Sequence, residues 1–254
     1  MTVDRTPTGR RGQSDVLGFI LIFALVLSTV TVVAVFGFGT LEDTRDQEEL
    51  NNAERAFDVL RDNMADIHEE GAPSRATEIS LERAQLYPGD QVTFNVTAVD
   101  GTGNSVVNIL SYSPVVFANG DTEIVYSAGA VIRNQRDGGV MLQKPPLLLN
   151  ESRVVIPVVQ TRYFGDVDST SGGTIRVRAE QRRRQPLGRL VEAPTDYQSI
   201  HLNVTSPRSD IWQSYFESEG LDCEAPRPNI VDCSLDDPEE MFISRTLIRW
   251  EIET

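Results

Sequence analysis

Residues Val16–Phe38 read VLGFILIFALVLSTVTVVAVFGF, 23 positions without a charge, and they follow Arg10-Arg11-Gly12-Gln13-Ser14-Asp15. A cleaved secretory signal has an apolar core of about 7–15 residues, followed by a small-residue cleavage site. This core is longer, and no Ala-x-Ala follows it. At a rise of about 1.5 Å per residue it spans about 30 Å, the thickness of a bilayer core. A buried helix of a soluble protein is the competing reading. It is disfavoured because such helices are rarely apolar all round over so many turns.

The flanks predict an orientation. The N-terminal arm carries Arg5, Arg10 and Arg11 against Asp4, whereas Glu42, Asp43, Asp46, Glu48 and Glu49 face only Arg45 beyond the span. The positive-inside rule then puts residues 1–15 in the cytoplasm and the rest outside. The expectation is a single-pass protein of the cell membrane, N-terminus cytoplasmic and C-terminal domain extracellular.

A basic arm, a Gly, a short polar stretch and an uninterrupted apolar helix resemble the N-terminus of archaeal type IV pilins and archaellins. The resemblance covers about 30 residues, by count of the motif on a helix of this length. It implies a membrane prepilin-type peptidase acting at Arg11-Gly12-Gln13, with the cut between Gly12 and Gln13. The apolar helix would then stay on the mature chain and pack against copies of itself or other pilin-like subunits. This sequence departs from the bacterial pattern, which has Glu at the fifth mature position; here that position is Leu17, and Asp15 is the third.

Composition points the same way. The formal net charge is −15, and Lys144 is the only Lys among 23 basic residues. An acidic, Lys-poor surface stays hydrated in high salt, which fits a halophilic archaeon. With no basic face, nucleic acid is not an expected partner.

Four segments are expected: a cytoplasmic basic leader 1–12, a transmembrane helix 13–39, an amphipathic stalk helix 40–70 and an extracellular β-rich domain 71–254. In the stalk, Leu50, Ala53, Phe57, Leu60, Met64 and Ile67 are spaced by 3 or 4, a heptad-like seam. The seam either pairs with a copy of itself or buries against the β domain. Gly71 and Pro73 mark the helix end.

Beyond it, polar and apolar residues alternate in Gln91–Ala98, Thr174–Glu180, Ile200–Val204 and Ile248–Ile252. Such period-two patterns predict antiparallel strands over a single core. Val154–Val159 is nearly continuous apolar, with Pro157 suiting an edge or bulge. About eight strands over residues 76–206 are expected, then a short helix at Asp210–Glu219 capped by Ser209 and a last strand at Met241–Glu253. The fold class is α+β: a long N-terminal transmembrane and stalk helix followed by an antiparallel β-sandwich-like extracellular domain.

Three glycosylation sequons occur, at Asn95, Asn150 and Asn203. Asn95 and Asn203 fall on polar strand faces, Asn150 in a turn. Cys223 and Cys233 bracket a loop rich in Pro and Asp. Either they stay free thiols, or a bond closes a loop of about 11 residues and contributes about 3 kcal/mol.

No catalytic residue, metal site or cofactor is read from the chain. His68 and His201 are expected at the surface, with no nucleophile motif beside either. Asp166–Gly172 begins like a calcium loop, but the twelfth position is Val177 where a bidentate Glu is needed. Arg182-Arg183-Arg184 is either a contact for an acidic neighbour or a solvated strand end balanced by acids. Two functions remain open: a pilin-like surface protein, including a minor filament subunit, or a signal-anchored β-domain binding protein that never assembles.

Overall fold

The computed structural model describes residues 11–102, 105–150, 152–167, 169–186 and 197–253. Residues 1–10 of the expected leader lie outside them, as do Gly103, Asn104, Glu151 and Asp168. The chain forms two compact units, divided between Glu48 and Glu49. Helix α1 (Arg11–Ala65) supplies residues to both. In the first unit it is the apolar helix; in the second it is one layer of the head.

After a π-helical turn at Asp66–Glu70, the head contains β1 (Ser74–Ser80), β2 (Gln85–Pro88), β3 (Val92–Asp100), β4 (Ser105–Tyr112), β5 (Val115–Asn119), β6 (Thr122–Ser127), β7 (Ala130–Gln135) and β8 (Gly138–Gln143). There follow β9 (Leu148–Asn150), β10 (Arg153–Tyr163), β11 (Thr170–Ser171), β12 (Thr174–Pro186), β13 (Tyr197–Thr205), α2 (Ser209–Ser218), β14 (Asp222–Arg227), β15 (Ile230–Asp236) and β16 (Met241–Glu253). The protein is thus α+β, with one N-terminal apolar helix and a predominantly antiparallel β domain.

The strands form three sheets, ordered β1-β12-β16-β10-β9, β11-β2-β5-β6-β7-β8 and β14-β15-β13-β3-β4. Every pairing is antiparallel except β10 with β16. Strand alternation places Val92, Phe94, Val96 and Ala98 of β3, and Ile200, Leu202 and Val204 of β13, in the interior. Pro157 lies past the end of β9, which pairs only with Arg153–Val155 of β10. An interior strand therefore tolerates it.

The expected single core is two. Phe94, Leu202, Trp212, Phe216, Val125 and Ile132 belong to the first. Phe57, Leu60, Met64, Ile124, Tyr126 and Trp250 belong to the second. Neighbouring residues of β6, Ile124 and Val125, point into different cores, so the centre of the middle sheet is buried on both faces. The seam of Ala53, Phe57, Leu60 and Met64 in α1, continued by Ile67 in the π-helical turn, is buried against this sheet and the first one. Burial against its own β domain is the arrangement the seam adopts, which explains why the head begins at Glu49 rather than at residue 71.

Several local expectations differ. His68 is buried, not at the surface. A π turn carries more residues per turn than an α-helix, and here it turns Ile67 and His68 inward together. Gly71 then ends the helix with φ 76°. The cap of α2 is Arg208, not Ser209; a turn precedes the helix, with Ser206 Oγ accepting from the Arg208 N–H at 3.1 Å. The cysteine loop is a hairpin, β14–β15, turning at Pro228-Asn229 with Asn229 at φ 64°. Pro followed by a residue of positive φ is the signature of a type II turn.

Candidate functional site

The first candidate is the apolar helix. Val16–Val35 is long and apolar enough to cross a membrane, by length and composition, and none of it is buried within the chain. Its large apolar side chains are 51–70% exposed. Both of its threonines bond to their own backbone: Thr29 Oγ1 donates to the Val26 carbonyl at 2.9 Å and Thr31 Oγ1 to that of Leu27 at 2.8 Å. Satisfied polar groups are what an apolar surrounding demands of a helix. Phe19 and Phe23 stack one turn apart, with centroids 6.2 Å apart. Arg11, Gly12 and Gln13 form the first helical residues of α1.

The second candidate is the polar face of the third sheet. Asn95 of β3 and Asn203 of β13, separated by more than a hundred residues, are directly opposed in register. Asp232 of β15 is opposite Asn203, and Ile109 of β4 is opposite Asn95. Asn203 Nδ2 donates to Asp232 Oδ2 at 3.1 Å. His201, half-buried two residues away on the same face, has Nδ1 3.8 Å from Asp232 Oδ1 and Nε2 3.4 Å from Ser199 Oγ. Asn150 is elsewhere, at the end of β9. Its Oδ1 accepts from Ser152 Oγ at 2.7 Å and from the Arg153 N–H at 2.8 Å, a side-chain-mediated turn.

Cys223 and Cys233 are bonded, 4.1 Å apart at Cα, as facing residues of the β14–β15 hairpin. Cys233 points into the first core and Cys223 is partly buried beside it. The bond ties the edge strand β14 to the sheet.

Arg182 is accounted for by a neighbour, Glu180, at 3.5 Å. It joins a lattice on the outer face of the first sheet, in which Arg178 approaches Glu180, Glu251 and Glu253, and Arg176 approaches Glu78 and Glu253. Glu78 and Glu253 lie opposite Arg176 in the ladder, so the alternation of charge follows from register. A bulge between Gln181 and Arg183 interrupts β12 at this point. Among the described residues, no three His, Cys, Asp or Glu side chains converge as a metal set. Two open grooves lie among the described residues. One, of about 440 Å³, is lined by Leu149, Asn150, Glu219 and Leu235. The other, of about 500 Å³, is lined by Arg75, Arg176, Arg178 and Glu253.

One polar cluster has no sequence signature. Glu123 on β6 accepts from Arg208 Nη2 at 2.7 Å, Asn134 Nδ2 at 3.1 Å and Tyr87 Oη at 3.2 Å. Burial pushes its carboxyl up, but the Arg208 guanidinium and the three donors together outweigh burial and hold it below the usual carboxylate range. Burial, then the nearby Glu123 charge, pushes the Tyr87 hydroxyl up. Arg208 is itself buried. The cluster joins β2, β6, β7 and the start of α2, residues far apart in sequence, so only the fold assembles it.

Residues 11–251 match a family described as a family of unknown function (DUF7289). No curated protein matches the chain, and no solved structure does. The chain belongs to the DUF7289 family.

Proposed function

We propose that this member of the DUF7289 family is a pilin-like, membrane-anchored protein of the cell surface, with a structural or interaction role rather than a catalytic one, and built as a minor filament subunit. One observation carries the reading: fourteen large apolar side chains between Val16 and Val35 are left uncovered by the chain. Covering such a side chain is worth about 1.5–3 kcal/mol, so the set is worth on the order of 20–40 kcal/mol. That exceeds the roughly 5–15 kcal/mol that holds a whole domain folded. Lipid, sister helices, or both in turn must therefore take them.

In this reading the arm with Arg5, Arg10 and Arg11 stays in the cytoplasm and the head lies outside. A prepilin-type peptidase cuts between Gly12 and Gln13, and the freed helix passes from the bilayer to a filament core. The head is read as a sandwich-like domain, whose first core is filled from all three sheets and from α2. The Cys223–Cys233 bond suits an oxidising compartment. The acidic, Lys-poor composition suits a halophilic archaeon.

The test is the N-terminus of the protein recovered from native membranes, by intact mass and terminal peptide sequencing. A chain starting at Gln13 supports the pilin-like reading. A chain that keeps its arm through Gly12 defeats it, and leaves a signal-anchored protein whose β head binds a ligand or wall component without assembling.

A further inference from the structure

The polar face of the third sheet treats its two sequons differently. Asn95 and Asn203 are opposed in the ladder, and opposed side chains have Cβ atoms about 5 Å apart. The amide nitrogen of Asn203 is held by Asp232. The side-chain oxygen of Asn95, by contrast, is buried without a hydrogen-bond partner, and its nitrogen is not among the buried unpartnered atoms. On its other side lies Ile109, 65% exposed on the edge strand β4. A large aliphatic side chain left open beside a sequon asparagine is an apolar platform, and the C–H face of a sugar ring covers such a surface favourably.

We propose that Asn95 carries an N-linked glycan whose first sugar lies over Ile109, and that Asn203 stays unmodified. The inference rests on the reading that the head lies outside the cytoplasm. The donor class is a lipid-linked glycosyl phosphate, used by a membrane glycosyltransferase. Asn95 Nδ2 attacks the anomeric carbon. The new C–N bond forms as the C–O bond to phosphate breaks, the lipid phosphate leaves with the bonding pair, and the amide gives up one proton to the transferase. No oxidant or reductant is involved. Once one ring occupies the row, a second on Asn203 would contend for the same space. The Asn203 side also offers a carboxylate where Asn95 has an aliphatic surface.

Glycopeptide mass spectrometry on the full-length protein from native membranes tests this, comparing wild type with Thr97→Ala, Asn95→Gln and Thr205→Ala. The expected result is a glycan on the Asn95 peptide of wild type and Thr205→Ala, its loss in Thr97→Ala and Asn95→Gln, and a bare Asn203 throughout. A bare Asn95, a glycan on Asn203, or both residues modified in one molecule overturns the proposal. Protease added to intact cells separates the two readings. Digestion of the head with Asn95 bare overturns the glycan alone, whereas a head that resists digestion until the cells are lysed overturns the extracytoplasmic placement with it. The contact with Ile109 has its own readout. Thr97→Ala is expected to lower the Tm of the wild-type chain but not of an Ile109→Ser chain, and equal losses in both would remove the platform.

Discussion

Asn119 Nδ2 donates to Glu49 Oε2 at 3.0 Å, joining residues 70 apart in sequence. The other carboxylate oxygen accepts from the backbone N–H groups of Arg83 and Ala84, both at 3.1 Å. Glu49 is 6% exposed, so these partners replace water almost completely. It fixes the α1 portion of the head to the β1–β2 connection and to the β5–β6 turn.

Removing that carboxylate takes an acceptor from the Arg83 N–H, the Asn119 amide and the buried Ala84 N–H, the last of which keeps the Leu81 carbonyl. Glu49→Ala is expected to cost about 3 kcal/mol. Glu49→Gln keeps an acceptor for Arg83 and Ala84 and is expected to cost clearly less. Denaturant unfolding of the full chain in detergent measures both. Equal losses for the two variants would show that the carbonyl acceptor is not what matters at this position.

The Glu123 cluster predicts an acid-sensitive head. The carboxyl is lowered in the folded state from an ordinary value of 4.5. A lowered carboxylate contributes stability that is fully present above the unfolded value and lost as pH falls through the folded one. Stability is therefore expected to drop below about pH 4.5, and Glu123→Gln is expected to flatten part of that drop. Arg208→Met leaves the half-buried carboxylate without its guanidinium and is expected to cost about 3 kcal/mol at neutral pH. Unfolding midpoints from pH 3 to pH 7 check both variants. An unchanged acid slope in Glu123→Gln counts against the cluster.

The β6–β7 hairpin turns on Ala128 at φ 50° and Gly129 at φ 90°. Two positive values in a two-residue turn are the I′ arrangement that matches strand twist. A Cβ on Gly129 would meet Pro146 Cδ at 2.5 Å, in a conformation that L residues already disfavour. Gly129→Ala is expected to destabilise by more than about 1 kcal/mol, read as a shift in denaturation midpoint with unchanged slope. A neutral outcome would mean that Pro146 yields.

Membrane residence is tested directly by a charge inside the apolar helix. Leu25→Arg is expected to add about 3 kcal/mol to insertion, moving protein from the membrane fraction into soluble or degraded pools. Ser28→Ala, which adds no charge, is the control. Full retention of Leu25→Arg in carbonate-washed membranes would contradict a spanning helix.

The legibility of the fold follows how many faces each element buries. β3, β12 and β13 bury one face against a polar other, and their alternation is plain in the sequence. β6 reads Thr-Glu-Ile-Val-Tyr-Ser, and both its faces are covered, so no alternation marks it. That concealment hid the second core and the middle layer. The α1 seam showed its period but not its partner, since a period is silent about what fills it. Pairing of β10 with β16, the opposition of Asn95 and Asn203, and the Glu123 cluster are all products of tertiary register. The inward turn of His68 depends on one π turn that propensity does not mark.

The first sheet has one more consequence. Its order puts β16, which follows every other strand of that sheet in sequence, between β12 and β10. Until Met241–Glu253 arrives, the β1–β12 pair and the β9–β10 pair share no strand, and Ile248 and Trp250 are missing from the second core. The earlier strands of this sheet therefore keep open edges until β16 joins them. The first sheet closes only when β16 emerges, more than 170 residues after the end of α1. In that interval its unpaired edges are the ones open to pairing with another chain.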